Sequence, residues 1–269
     1  MKSDKRVVLI TGSSSGIGRA TAIYLSQQGF IVYAGSRTPQ KLSSIPNIIP
    51  IKLDITNPQN IKEAISKIEK IDILINNAGY GLVSTVEDVT EEEMFNQFNI
   101  NLFGVIRVTQ RVIPLMRRQG GGIIINISSF LGKIGLPLLT LYNASKYALE
   151  GVTDSLRYEL RDFNIRVHSI MPGFFSTNFA KDNLVINQNI SNPNSPYQHI
   201  VSNLTPQIIE QINRGNNAQE VAEIIFEIIE NGDSKARKTA GDKAKKFIPM
   251  RRELCDEDFE RRVRDYYNL

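Results

Sequence analysis

A tyrosine and a lysine four residues apart stand in the run Tyr142-Asn143-Ala144-Ser145-Lys146. On a helix, positions i and i+4 share a face, so this spacing holds an ammonium near a phenol. A tyrosine of pKa ~10 is a poor base at neutral pH. A cation ~4 Å away, at an effective dielectric of ~20, is worth ~4 kcal/mol, or up to ~3 pKa units, enough to bring the phenol towards 7. Such a group suits hydride chemistry, because a carbonyl that receives hydride on carbon must receive a proton on oxygen. Alone the pair is weak, since most Tyr-x-x-x-Lys pairs are a solvated helix face. Its weight comes from its company. Asn126-Ile127-Ser128-Ser129 closes an apolar run, and Ser129 stands thirteen residues before Tyr142. The neighbouring Tyr147 has Gly151 four residues on and lacks a cation.

A second constellation lies near the N-terminus, in Thr11-Gly12-Ser13-Ser14-Ser15-Gly16-Ile17-Gly18-Arg19. Glycines let a backbone turn tightly and approach a ligand closely. A helix starting there presents free N–H groups and a partial positive charge, which suit a pyrophosphate, and Ser14 and Ser15 add hydroxyl donors. The spacing is G-x-x-x-G-x-G rather than G-x-G-x-x-G, and no Gly-Lys-Ser/Thr follows, which excludes a P-loop. Nucleotide type is read at the end of the next apolar run, Tyr33-Ala34-Gly35-Ser36-Arg37-Thr38. An acid there would hold a ribose 2′-hydroxyl, whereas an arginine accommodates a 2′-phosphate. No acid is present, and Arg37 can grip phosphate with two parallel hydrogen bonds. The expected cofactor is therefore NADP(H) rather than NAD(H).

The glycine turn, from Thr11 through Gly12, Gly16 and Gly18, resembles that of the short-chain dehydrogenase/reductase family. The resemblance recurs in order along about residues 6–178. Asp54 and Ile55 look like the family's adenine contact. Asn76-Asn77-Ala78-Gly79 matches its Asn-Asn-Ala-Gly signature, which implies cofactor contacts at Asn77, Ala78 and Gly79. Pro172, Gly173 and Thr177 match its Pro-Gly-x-x-x-Thr nicotinamide clamp, with Phe175 inside it. The resemblance implies roles: Tyr142 as acid/base, Lys146 as the cation that tunes it and binds the nicotinamide ribose, Ser129 on the substrate oxygen. Asn101, in Asn99-Ile100-Asn101, matches the asparagine that anchors a proton-relay water. Ser128 is the competitor for Ser129, and the thirteen-residue spacing favours Ser129. The stretch 76–83 and the basic tail from Arg237 to Arg252 look similar to the 17β-hydroxysteroid and retinol dehydrogenase-like branch. That implies a lipophilic ketone or secondary alcohol. A non-catalytic NADP(H)-binding regulator on the same fold is the alternative, but such proteins lose the tyrosine, lysine or serine. A nucleotide-sugar epimerase would carry Gly-x-x-Gly-x-x-Gly.

These residues need a scaffold, and the alternation of short apolar runs with amphipathic stretches supplies one. Strands are expected at 7–11, 30–36, 48–53, 71–75, 122–128 and 165–171, several nearly continuous in Ile, Val and Leu as for strands covered on both faces. Helices are expected at 17–28, 58–68, 91–118, 141–162 and 217–231, with Pro58 opening one and Gly29 closing another. Repeated βα alternation predicts an α/β fold: a Rossmann-type doubly wound parallel sheet in three α/β/α layers. One domain over 1–269 is expected. The Asn-, Pro- and Ser-rich stretch 182–206 reads as a long loop within a substrate lid over 175–215.

The tail, 233–269, changes character. Residues 233–252 hold eight Lys/Arg against two Asp, and 253–269 hold six acids against three Arg. This predicts a basic helix followed by an acidic one, pairing with each other or leaving the basic stretch for peripheral contact with a membrane. The net charge of +4 gives no reason to expect nucleic acid. One cysteine, Cys255, excludes an internal disulfide, and two histidines, His168 and His199, cannot build a His-rich metal site, so no metal is expected. The start, with four apolar residues at Val7 to Ile10, lacks a secretory signal, and no apolar run approaches the ~18 residues of a spanning helix. A cytoplasmic protein is expected, acting on a small-molecule substrate. The family resemblance also implies a homo-oligomer through the helices near 91–118 and 141–162.

Overall fold

The computed structural model describes residues 5–42, 45–177, 179–232 and 235–269. Asn178 of the lid, Asp233 and Ser234 of the tail and the basic start at 1–4 lie outside them. Seven strands form one parallel sheet: β1 (Val7–Thr11), β2 (Ile31–Ser36), β3 (Ile48–Lys52), β4 (Ile73–Asn76), β5 (Gly122–Ile127), β6 (Ile165–Pro172) and β7 (Arg237–Ala240). Their order across the sheet is β7-β6-β5-β4-β1-β2-β3. The order reverses between β1 and β4, and such a switch point opens a crevice beyond the carboxyl ends of the strands.

Alternate residues of each strand feed opposite layers. Val8 and Ile10 of β1 pack with Ala22 and Leu25 of α1 (Gly16–Gln27) and Val221 and Ile225 of α7 (Gln219–Asn231). Leu9 faces the other way, into a core shared with Ile61 of α2 (Pro58–Ile65) and Val108, Val112 and Met116 of α4 (Val105–Arg118). Both faces are buried, which is why the strands read as unbroken apolar runs. Pro58 opens α2 behind an Asn57 cap that accepts from Asn60 N at 2.9 Å. Gly29 follows α1 at φ +91°.

A third core caps the C-terminal ends of the strands. It gathers Leu136, Leu138 and Leu139 from the segment after β5 and Phe174 from the segment after β6. Against them pack Leu204, Ile208 and Ile212 of α6 (Gln198–Asn213), Phe247 of α8 (Gly241–Glu253), and Phe259 and Tyr267 of α9 (Asp256–Tyr267).

Three expectations are corrected here. The stretch 182–206 is not all loop: its end enters α6, which tolerates Pro206 because apolar residues at 201, 204, 208 and 212 form one buried face. The basic tail is not one helix: Arg237–Ala240 is the edge strand β7, paired with Ser169–Pro172, before the chain turns at Gly241 (φ +75°) into α8. Its cations are engaged locally, Arg251 with Asp256 at 2.6 Å and Lys245 with Glu220 at 2.7 Å. The helix expected at 91–118 is α3 (Glu91–Phe98) and α4, joined by a π-helical segment, Asn99–Gly104. Gly104 marks the reason for close packing there, since a Cβ on it would sit 2.6 Å from Ile55 Cδ1.

Candidate active site

The glycine turn leaves β1 at the switch point. Gly12 (φ +66°) and Gly16 (φ +56°) occupy left-handed backbone, which side chains disfavour. A Cβ on Gly18 would lie 2.5 Å from the Gly12 carbonyl oxygen and closer still to Asn77 Nδ2. Asn77 Nδ2 donates to the carbonyls of Thr11 and Gly12, both at 3.0 Å. Thr11 Oγ1 accepts from the N–H groups of Asn77 and Ala78, both at 3.0 Å. The Asn77-Ala78-Gly79 segment thus clamps the turn. No side chain caps the first turn of α1, so its N–H groups face the cleft lined by Ser14, Ser15 and Ile17.

That cleft has a volume of about 810 Å³. Every expected cofactor residue lines it except Gly18, which packs behind the turn: Gly12, Ser14, Ser15, Gly16, Ile17, Arg37, Asp54, Ile55, Asn77, Ala78, Gly79, Tyr142, Lys146, Pro172, Gly173, Phe175 and Thr177. Asp54 Oδ1 accepts from the N–H (2.9 Å) and hydroxyl (2.7 Å) of Thr56, which fixes the loop after β3. Gly173 N donates to Ala240 O at 2.8 Å, so β7 holds the segment that carries Pro172 and Thr177. Phe175 also packs in the core beneath α1 and α7.

Ser129, Tyr142 and Lys146 meet at the other end. Ser129 caps a short turn, accepting from Leu131 N at 3.1 Å, and its hydroxyl is near enough to the Tyr142 phenol to lower the phenol's pKa. Ser128 also lines the cleft; it is buried, and its hydroxyl has no partner among the described residues. Lys146 is 5% exposed and donates to Ile127 O at 2.9 Å. Both side chains project from α5 (Thr140–Glu159). Asn101 is fully buried in the π-helical segment. Its Oδ1 accepts from Tyr80 N at 3.0 Å, and its Nδ2 donates to Tyr80 O (2.9 Å) and to Ser145 Oγ (3.1 Å). Ser145 in turn donates to Tyr142 O at 2.8 Å, so Asn101 ties α5 to the Tyr80 loop below the phenol. π-Segments of this kind recur at functional sites.

The protonation picture differs from the spacing argument. Burial pushes the Tyr142 phenol up to about 12, and the Ser129 hydrogen bond opposes this. Burial also pushes Lys146 down to about 8, against the attraction of Glu150. Lys146 Nζ lies 5.8 Å from the Tyr142 ring centre and is turned to the Ile127 carbonyl, so desolvation of the phenol outweighs the cation. As held here, the Tyr142 phenol keeps its proton at neutral pH.

Of the remaining lining, Phe174 and Phe179 stand in and beside the Pro172–Thr177 segment, where phenylalanines suggest a partly apolar pocket; the rest has no marker in the sequence motifs. Tyr80, Leu82, Leu139, Phe174, Phe179, Leu184, Ile208 and Ile212 form an apolar chamber beside Tyr142. The 3-and-4 spacing of apolar residues through 201–212 was the signal for the last two. The segment 184–197 is tied to the approach to α3 and its first turn. Asn187 Nδ2 donates to Glu93 Oε2 (2.7 Å) and Asp88 O (3.2 Å), and Tyr197 OH donates to Glu87 Oε2 (2.9 Å).

The sequence model of the family described as short chain dehydrogenase matches residues 6–185. The chain belongs to this family, and it is an oxidoreductase. Among curated proteins, it is 42% identical over 190 residues to a 3-ketodihydrosphingosine reductase of Bacteroides thetaiotaomicron, covering 69% of this chain and 68% of the relative. It is 34% identical over 238 residues to YusZ, an uncharacterised oxidoreductase of Bacillus subtilis, covering 84% and 85%. Among solved structures, a short-chain dehydrogenase from Streptomyces avermitilis superposes with a TM-score of 0.82 at 28% identity, over 99% of this chain and 97% of that one. No helix among the described residues is long and apolar enough to cross a membrane.

Proposed function

We propose that this dehydrogenase reduces the keto group of a lipophilic substrate to a secondary alcohol with NADPH. The observation that carries the reading is the phenol of Tyr142, set beside Ser129 in the cleft that also holds the clamped glycine turn and the apolar chamber. The residues fit a dinucleotide: an uncapped helix N-terminus for the pyrophosphate, glycines that bring backbone to the ligand, and Arg37 at the end of β2. Bound there, the nicotinamide supplies the hydride.

The protein's own groups do the rest. Ser129 and Tyr142 hydrogen-bond the carbonyl oxygen and stabilise the charge that develops on it. Tyr142, protonated at neutral pH, delivers its proton to that oxygen. Lys146, held by Ile127, supplies positive charge beside the phenolate that results. Asn101 keeps α5 and the Tyr80 loop in register. Leu82, Leu139, Phe174, Phe179, Leu184, Ile208 and Ile212 exclude water from the reacting centre and favour an apolar chain. The relative named 3-ketodihydrosphingosine reductase supports a long-chain keto lipid over a steroid. The decisive assay follows NADPH absorbance across 3-keto lipids of increasing chain length. The reading expects kcat/KM to rise with chain length, and a preference for short hydrophilic ketones overturns it.

A further inference from the structure

Glu150 stands one helical turn beyond Lys146 and is almost wholly buried, with 2% of its side chain exposed. A carboxylate so placed needs partners, and three elements provide them. From β6, the Ser169 hydroxyl donates to Oε1. From β7, Arg237 Nε donates to Oε2 at 2.5 Å, and the same guanidinium reaches Asp154 Oδ1 at 2.6 Å. From the segment following Ser129, Lys133 Nζ lies 3.7 Å away. The carboxylate also sits against the serine loop. A Cβ on Gly132 would meet the Lys146 carbonyl at 3.0 Å, Ser128 Oγ at 3.0 Å and Glu150 Cγ at 3.1 Å. Glu150 thus joins the serine loop, the Tyr142–Lys146 helix and the sheet edge at one buried point.

We propose that Glu150, held by Arg237, is a positioning residue: it fixes the register of the serine loop on α5 and keeps the buried Lys146 charged. The groups that set the charge on Lys146 are few. On its own helix these are Tyr142 and Glu150. The Ile127 carbonyl accepts its hydrogen bond, and Gly79 and Asn101 close over it without charge. Arg237 and Lys133 pair with Glu150, and Asp154 pairs with Arg237. Burial disfavours the ammonium, and among the described residues the anion that opposes this is Glu150. The two members of the pair therefore act on Lys146 with opposite signs. Removing the carboxylate weakens its hold on the proton. Removing Arg237 leaves the carboxylate uncompensated and strengthens that hold.

The test reads Lys146 directly. Lysine 13Cε shifts are followed against pH in the protein alone, with the Lys146 signal identified by its loss in Lys146→Arg. In Glu150→Gln the midpoint falls by at least about half a unit, as expected for loss of a charge one helical turn away. In Arg237→Met it rises. A merely structural role lowers the stability of both variants and leaves the midpoint unmoved. If Glu150→Gln does not fold, Arg237→Met decides. If neither folds, the partly exposed Lys133→Gln carries the same upward sign. An unchanged midpoint, or shifts of the same sign in the Glu150 and Arg237 variants, overturns the proposal. It rests on the reading of Lys146 as part of the reduction site, and the two fail separately: the titration uses no substrate. Opposite shifts without a matching move of the alkaline limb of kcat/KM uphold the pair and sink the role of Lys146 in reduction.

Discussion

Replacing Gly18 by alanine adds a methyl group where there is no room. Its Cβ falls 2.5 Å from the Gly12 carbonyl oxygen and closer to Asn77 Nδ2. Neither neighbour is a floppy side-chain end. One is backbone held in left-handed conformation by Gly12, and the other donates two 3.0 Å hydrogen bonds to Thr11 and Gly12. Relief requires the Asn77 amide to leave, at about 0.5–1.5 kcal/mol for each bond lost. Overpacking adds about 1–3 kcal/mol. The sum is about 2–6 kcal/mol, or a fall in Tm of roughly 4–24 °C, taking about 2–4 °C per kcal/mol. The damage is centred on the cofactor turn, so NADPH affinity falls with it. The internal control is Gly151→Ala, on α5 with nothing within 4 Å of the added Cβ. Alanine in place of an open helical glycine stabilises by about 0.5–1 kcal/mol. Thermal melts and NADPH fluorescence titrations of both variants check this. A Gly18→Ala protein that melts and binds like the parent refutes the close-packed turn.

Two further outcomes follow from the cleft. Arg37→Ala weakens NADPH binding about 10–100-fold, the worth of one or two charge-assisted hydrogen bonds, and leaves NADH unchanged. Competition titrations with the two cofactors check this, and equal weakening of both refutes the 2′-phosphate contact. Lys146→Met removes a buried ammonium whose folded-state pKa of about 8 lies below the ordinary lysine value of 10.5. The folded state then binds fewer protons than the unfolded one between those values, so the parent gains stability as pH rises from about 8 to 10.5. At pH 7 the methionine variant is the more stable, by up to about 3 kcal/mol, and is inactive. Denaturant melts at pH 7 and pH 10 check the sign, and a pH-independent difference contradicts it.

Much of the site was legible because its residues sit where strands end. β1 leading into Gly12–Gly18, β4 into Asn76–Gly79, β5 into Ser128-Ser129 and β6 into Pro172-Gly173 each place a motif at a carboxyl edge, and parallel strands buried on both faces leave clear apolar runs. What was hidden depends on tertiary contact. Nothing local in Arg237-Lys238-Thr239-Ala240 marks a strand. It becomes one because β6 offers an open edge from Ser169 to Pro172 and Glu150 takes Arg237. The π-segment around Asn101 is a single wide turn between two α-helices, too short for the apolar pattern of 91–118 to separate it from them. α6 was masked by Asn, Pro and Ser just before it, although its apolar face is regular. The phenol's raised pKa could not be read from i, i+4 spacing, because it depends on how deeply Tyr142 is desolvated and on Lys146 turning to Ile127.

The central claim is that Tyr142 gives the proton. Single-turnover reduction of a long-chain ketone by the preformed NADPH complex, in parent and Tyr142→Phe, tests it most directly. The phenylalanine keeps the ring's packing and removes only the hydroxyl. If Tyr142 gives the proton, the reduction step slows about 10²–10⁴-fold in Tyr142→Phe with NADPH affinity unchanged. A variant that reduces the ketone within a few-fold of the parent rate contradicts it.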